Sequence, residues 1–398
     1  MTTIEATPLP QLQCESDVGI ETIPLASEGA FAGWQTDIPE RYRGLGGAEL
    51  VERVRAARAA LGARAVVLGH HYQREDVIQF ADRRGDSFDL ARYAASHPES
   101  EYIVFCGVHF MAEAADILSG PHQQVVLPNL AAGCSMADMA AQPDVLGAWR
   151  ELAAEFGGTE EIVPVTYMNS AAALKAFCGE HGGVVCTSSN AASVLAWALE
   201  RGRRIFFFPD QHLGRNTAHA MGIPEQEMAL WNWRLPPGSR GGLSGDELRR
   251  SRLILWEGHC SVHQRFSLTQ VERARGRHPD VRVVVHPECR AEVVRAADAV
   301  GSTAYIARYV REAPAGAVLA VGTEINLVSR LAGENPEKTV FCLDPVVCPC
   351  STMYRVHPAY LAWVMEELAE GRVVNRIEVP EREKEHARVA LRRMLQLA

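Results

Sequence analysis

The chain has 398 residues, a length that asks for two or three domains rather than one core. Hydrophobic residues make up 47% and charged residues 22%, the profile of a folded globular protein, and the formal net charge of −9 argues against nucleic-acid or membrane-surface partners. No apolar run is long enough to span a membrane and the first residues carry no basic-then-apolar leader, so the expected location is cytoplasmic.

Residues 1–44 lack periodicity and read as an extension over the body. A helical stripe comes next, with Leu50, Val51, Val54, Ala57 and Leu61 on one face. The run ARAVVLGHHY (63–72) then reads as a buried parallel strand ending in polar groups. The same arrangement recurs in EIVPVTYMN (161–169) and VRVVVHPE (281–288). Each run delivers two polar residues spaced by one: His70 and Tyr72, Tyr167 and Asn169, His286 and Glu288. Each is followed by a helix-like stretch and a small hydroxyl motif: GDS (85–87), TSS (187–189) and GST (301–303). A further strand comes next, in YIVFCG, RIFFFPD and AVLAVGTE, and each unit closes on a cysteine, Cys134, Cys260 or Cys350. Residues 217–250 are rich in Pro, Gly and Ser and read as a loop insertion. The last stretch, 376–398, reads as an amphipathic helix packing back on the first unit.

This is an internal repeat of about one hundred residues, taken three times. Alternating strands and helices predict an α/β fold with three similar three-layer αβα domains built on parallel sheets. The expected division is an extension at 1–44, a first domain at 45–134 completed by 351–398, a second at 135–260 with the insertion at about 217–250, and a third at 261–350. Residues just past the strand C-termini line the ligand crevice in such sheets, so the polar pairs and the three cysteines converge on one axis.

The chemistry is set by residue types. Most of the ten cysteines are expected to be core fillers, Cys106, Cys178, Cys186 and Cys342 among them. Cys134, Cys260 and either Cys348 or Cys350 end separate units and form no close CxxC pair, which disfavours a zinc ribbon. Three thiolates from three distant loops suit an iron–sulfur cubane with one iron left open as a Lewis acid. Ser87, Ser188, Ser302 and Thr303 are expected at helix N-termini, where free N–H groups favour carboxylates or a phosphate. His70, His286 and Glu288 are candidates for proton transfer, and Tyr72 and Tyr167 for donation to a developing oxyanion. His71, His109, His212 and His263 are weaker candidates; Glu324 and Arg330 bind or merely pack. Rival readings are an iron–sulfur hydro-lyase on another small carboxylate, a non-catalytic iron–sulfur sensor, and a binding protein with structural cysteines.

HHYQ, FADRRGDS, CGVHFMAEAADIL, GCSMAD, YMNSAA, TSSNA, FPDQHLGRN, WEGHCSVH, VHPEC, GST, GTEINLVSRL and CPCSTM together resemble the quinolinate synthase family from about residue 45 to 355. The resemblance implies condensation of iminoaspartate with dihydroxyacetone phosphate to quinolinate, phosphate and water in NAD biosynthesis. It implies three α/β domains about a pseudo-threefold axis and an oxygen-sensitive [4Fe–4S] cluster with three cysteine ligands, together with a functional link to L-aspartate oxidase. The ligands it implies are Cys134, Cys260 and Cys350, the last selected over Cys348 because Met353 follows it in Cys-x-x-Met. The substrate-contacting positions it implies are His70, Tyr72, Ser87, Tyr167, Asn169, Ser188, His286, Glu288, Ser302 and Thr303. His71 departs from the pattern, standing where many members carry Asn. The extension and the 217–250 segment fit a longer subtype.

Overall fold

The protein is described by a computed structural model covering residues 22–28, 37–346 and 349–397. Cys348, considered above as an alternative ligand, and most of the extension lie outside the described residues. The first unit contributes strands β1 (Ala65–His70), β2 (Arg83–Gly85), β3 (Tyr102–Cys106) and β4 (Gln124–Val126). The second contributes β5 (Ile162–Tyr167), β6 (Val184–Cys186), β7 (Arg204–Phe208), β8 (Met228–Trp231) and β9 (Leu253–Trp256). The third contributes β10 (Arg282–Val285), β11 (Ala299–Val300), β12 (Val318–Gly322) and β13 (Thr339–Cys342), and β14 (Arg376–Ile377) comes near the chain end.

One strand order recurs in all three sheets. The first is β14-β4-β3-β1-β2, the second β6-β5-β7-β9-β8 and the third β11-β10-β12-β13. In each, the first strand of the unit lies between the second and the third, and all pairings are parallel except β14 with β4. The central strands are buried along nearly their whole length, which is why they read as continuous apolar runs rather than alternating ones. The fold is therefore α/β, with three units of the same topology.

Two additions distinguish the units. The 217–250 segment, expected to be a loop, carries β8, which pairs in parallel with β9 as an edge strand, Met228 opposite Leu253. Its four residues are too few to stand out from the surrounding turn residues. The chain end does return to the first unit: β14 pairs antiparallel with β4, and helix Pro358–Ala369 packs on helix Gly47–Leu61. The last helix, Glu381–Gln396, differs from the expectation. It packs chiefly on helix Ala172–Glu180 and on β6 of the second unit. Its buried face is Ala387, Ala390, Leu391 and Met394, and Asn190 and Gly183 each tie to it by a hydrogen bond. Small residues fit it there: a Cβ on Gly179 would sit 1.9 Å from the His386 carbonyl oxygen.

The hydrophobic interior divides unequally. The first two units share one apolar core, whereas the third keeps its own, around Val283, Val284, Val285, Ile306, Leu319 and Leu331. Tyr72 packs against both.

Candidate active site

Two histidines stand at equivalent places. His70 ends β1 and His286 comes directly after β10. Each ring Nδ1 accepts the backbone N–H two residues on, from Tyr72 at 3.2 Å and from Glu288 at 3.3 Å. An accepting ring nitrogen carries no proton, so both imidazoles hold theirs on Nε2. Burial keeps both rings neutral. It lowers His286 to about 3, helped by the neighbouring His263, and takes His70 well below its ordinary value, helped by His71 and Arg330.

Glu288 is the centre of the polar network. Its Oε1 accepts from Tyr167 Oη at 2.6 Å, and its Oε2 accepts from His263 Nδ1 at 2.8 Å. The His263 ring stacks on His286 with centroids 4.3 Å apart. The His263 Nε2 faces Tyr72 Oη at 3.3 Å and Thr323 Oγ1 at 3.2 Å, and those two hydroxyls lie 2.7 Å apart. Burial pushes the Glu288 carboxyl up, but the hydrogen bonds that it accepts from His263 and Tyr167 favour its charged form, and it stands below its ordinary value. Both phenols stay protonated, because burial and the Glu288 charge raise Tyr72 and Tyr167 well above the usual range.

The three unit-closing cysteines share one local geometry. Each precedes a helical turn, so the carbonyls of Cys134, Cys260 and Cys350 accept the N–H groups of Asp138, Gln264 and Tyr354. The backbone N–H groups of the residues three on, Ala137, His263 and Met353, act on the sulfurs in favour of the thiolate. Burial raises all three thiols, Cys134 to about 12, so they keep their protons at neutral pH. Cys260, His263 and Glu288 also bring ligand atoms within 4.8 Å of one another, so the pocket floor has metal-binding capacity. Cys106, Cys178, Cys186, Cys289 and Cys342 are buried and face elsewhere.

Most of these groups line one cavity, which with its mouth to solvent holds about 650 Å³ of empty space; His263 and Thr323 stand behind that lining. Of the residues singled out from sequence, His70, Tyr72, Ser87, Tyr167, Asn169, Ser188, His286, Glu288, Thr303 and all three cysteines line it. Ser302 does not line it; it caps helix Thr303–Glu312 by accepting from the Tyr305 N–H. Ser87 opens helix Ser87–Ala95, but the cap there is Asp86, which also accepts from Ser189 across the unit boundary at 2.9 Å. Ser188 lies in the loop before helix Ala191–Leu199. The Thr303 hydroxyl is buried in the cavity wall with no hydrogen-bond partner among the described residues. Among the described residues no Lys or Arg lines the cavity, and the polar groups that do line it include hydroxyls and imidazoles.

His263, ranked low from sequence, is the hinge of the network, and Thr323 was missed. Only the WEGHCSVH loop's closeness to Cys260 could have raised His263. The other weaker candidates have structural partners: His212 with Gln264 at 2.6 Å, and His109 with Glu113 at 3.5 Å. Arg330 donates to the His71 carbonyl and packs. Glu324 caps helix Ile325–Glu334 and accepts the Cys350 N–H at 3.1 Å.

Comparison with known proteins bears on all of this. The family model for the quinolinate synthetase A protein matches residues 52–396. Quinolinate synthase of Corynebacterium glutamicum is 58% identical over 366 residues, covering 92% of each chain. That of Streptomyces coelicolor is 56% identical, covering 88% of each. That of Geobacillus kaustophilus is 52% identical, covering 91% of this chain and 97% of its own.

Proposed function

The chain belongs to the quinolinate synthetase A family and is an enzyme of the quinolinate synthase type in NAD biosynthesis; on that premise we propose how its residues divide the work. The substrates are iminoaspartate and dihydroxyacetone phosphate, and the products quinolinate, phosphate and water. The observation that carries the reading is the convergence of three cysteines and the Tyr167–Glu288–His263 network on one cavity. The setting is cytoplasmic, with the unstable imine supplied by an L-aspartate oxidase; no helix among the described residues is long and apolar enough to cross a membrane. The boundaries 45–134, 135–260 and 261–350 stand as our division into units, the first completed by the returning chain.

The cofactor in this reading is a [4Fe–4S] cluster held by Cys134, Cys260 and Cys350. The donor set fits it: three thiols from three loops, each with a backbone N–H that favours its thiolate, around a cavity that also admits a small acid. When bound, such a cluster supplies a Lewis-acid iron with one open position, which polarises a leaving hydroxyl.

The chain's own residues do the rest. Ser87, Asn169, Ser188, Thr303 and the Nε2–H groups of His70 and His286 bind and orient the carboxylates and the phosphate, with Ser302 fixing the helix that presents Thr303. Glu288 is ionised and buried, so it accepts a proton from carbon or nitrogen during condensation and ring closure. His263 links it to Tyr72: as its Nδ1–H passes to the Glu288 carboxylate, its bare Nε2 takes the proton of Tyr72 Oη, so the negative charge moves from Glu288 to the phenol. Tyr167 donates to whichever oxygen carries negative charge when Glu288 is protonated. Phe88, Val108, Phe110 and Met111, apolar members of the lining, keep water from the imine.

The test is iron and sulfide content measured anaerobically, with Mössbauer spectra and quinolinate formation. It compares the wild type with Cys134→Ala, Cys260→Ala, Cys348→Ala and Cys350→Ala. Loss of cluster and turnover in three variants, with Cys348→Ala unaffected, is the expected result. Iron retained in all four variants would remove the ligand assignment. Turnover without dihydroxyacetone phosphate would favour a hydro-lyase.

A further inference from the structure

The described part of the N-terminal extension is short, yet it ends in a buried charge. Glu28 is 6% exposed, and its carboxylate accepts from Arg74 Nη1 at 2.7 Å. Arg74 is itself 3% exposed and makes two further bonds to Asp76, at 3.1 and 3.0 Å. Asp76 in turn accepts from the Thr22 hydroxyl at 2.6 Å, so the extension holds this cluster at both ends. Between them Leu25 is buried, and the Ile23 carbonyl accepts from His357 Nε2 at 3.0 Å.

The far side of the cluster belongs to the segment that carries Cys350. The Arg74 guanidinium, which Glu28 holds on one side, lies 4.2 Å over the Tyr354 ring on the other. The Tyr354 backbone N–H is the group that donates to the Cys350 carbonyl, at 2.9 Å. Arg74 stands two residues beyond Tyr72, so one ion pair touches both the loop of Tyr72 and the loop of Cys350. Breaking a buried pair leaves an uncompensated charge, which makes such a contact a strong constraint on whatever it joins.

We propose that residues 22–28 form a strap whose Glu28 is a positioning residue for the metal centre, fixing the Cys350 loop through Tyr354 and the Tyr72 loop through Arg74. The inference rests on the reading of Cys350 as a cluster ligand. Glu28 touches neither substrate nor cluster; it acts through Arg74 and Tyr354. The role gives the extension a purpose that the catalytic residues alone do not require.

The experiment uses the full chain, reconstituted anaerobically, with Glu28→Gln, Tyr354→Leu and the double variant. Leu391→Ala, in the C-terminal helix packed on the second unit, serves as a control for general destabilisation. Three quantities are read: iron per chain, the rate at which the cluster absorbance decays in air, and hydrogen exchange of residues 350–357. Glu28→Gln is expected to speed decay by about tenfold, the lower end for groups that support metal ligands. Exchange in 350–357 is expected to rise with it, Tyr354→Leu to act in the same direction, and the double variant to add little, because both residues act through the one Arg74 side chain. The control is expected to lower the melting temperature while leaving decay and exchange at 350–357 near the wild type. Unchanged decay and exchange in Glu28→Gln, additive effects in the double variant, or equal effects from Leu391→Ala would each overturn the strap. A wild type that binds no iron would instead overturn the ligand assignment, and exchange at 350–357 would still judge the strap.

Discussion

Six histidines, His259 among them, are folded into places where burial makes protonation costly. His71, His212 and His357 are lowered to about 4, His286 to about 3, and His70 well below its ordinary value. As pH falls through about 6.5 the unfolded chain takes up these protons first, so it binds more protons than the native state and stability drops. The loss per histidine is roughly 1.4 kcal/mol per pH unit and ends near its folded value. The urea midpoint is therefore expected to fall steeply between pH 6.5 and 4.5, and His71→Gln to make that fall shallower; a flat profile would contradict neutral burial. At pH 7, Glu288→Gln removes the one ionised group of the central network and should cost about 10²- to 10⁴-fold in kcat. His263→Ala should lower kcat with little change in KM, since His263 is read as relaying protons rather than gripping substrate. The strand-end residues could be read from sequence because a buried strand announces its own end, and the residues just past that end face the crevice. His263 and Thr323 could not, because their value lies in meeting Tyr72 from 191 and 251 residues away, which no local pattern records.

At the scale of elements, two helical glycines should respond in opposite directions. Gly179, in helix Ala172–Glu180, has the C-terminal helix backbone where a side chain would go. Gly179→Ala must push the two helices apart and should cost about 1–3 kcal/mol. Gly147, inside helix Gln142–Phe156, has nothing within 4 Å of that point, so Gly147→Ala should gain about 0.5–1 kcal/mol. Thermal or urea unfolding of the two variants settles both signs. The pattern of the C-terminal segment foretold an amphipathic helix but not its seat. An apolar stripe of alanines and leucines fits any smooth surface, and only the small residues of helix Ala172–Glu180 make this one close enough. The edge strand β8 was hidden for a different reason. Its pairing partner β9 supplies the order, while its own four residues sit among turn formers.

For the molecule as a whole, the separate core of the third unit matters most. Its seam with the rest carries polar contacts, among them Tyr167 with Glu288, Tyr72 with Thr323, and Asn216 with the carbonyls of Pro287 and Cys289. A seam of that kind couples two bodies less tightly than a shared apolar core. Calorimetry should resolve more than one transition, with a calorimetric enthalpy above the van't Hoff value, and a ligand spanning the cavity should draw the transitions together. One cooperative transition in the free protein would show that the seam binds as firmly as a core. The path of the chain has its own consequence. It leaves the second unit to build the third, then comes back to lay β14 on the first sheet and the last helix on the second unit. During synthesis, neither of the first two units gains its final layer until the third has already been made. The shared cavity is thus among the last parts to close, and loading of a metal centre belongs to the finished polypeptide rather than to the nascent one.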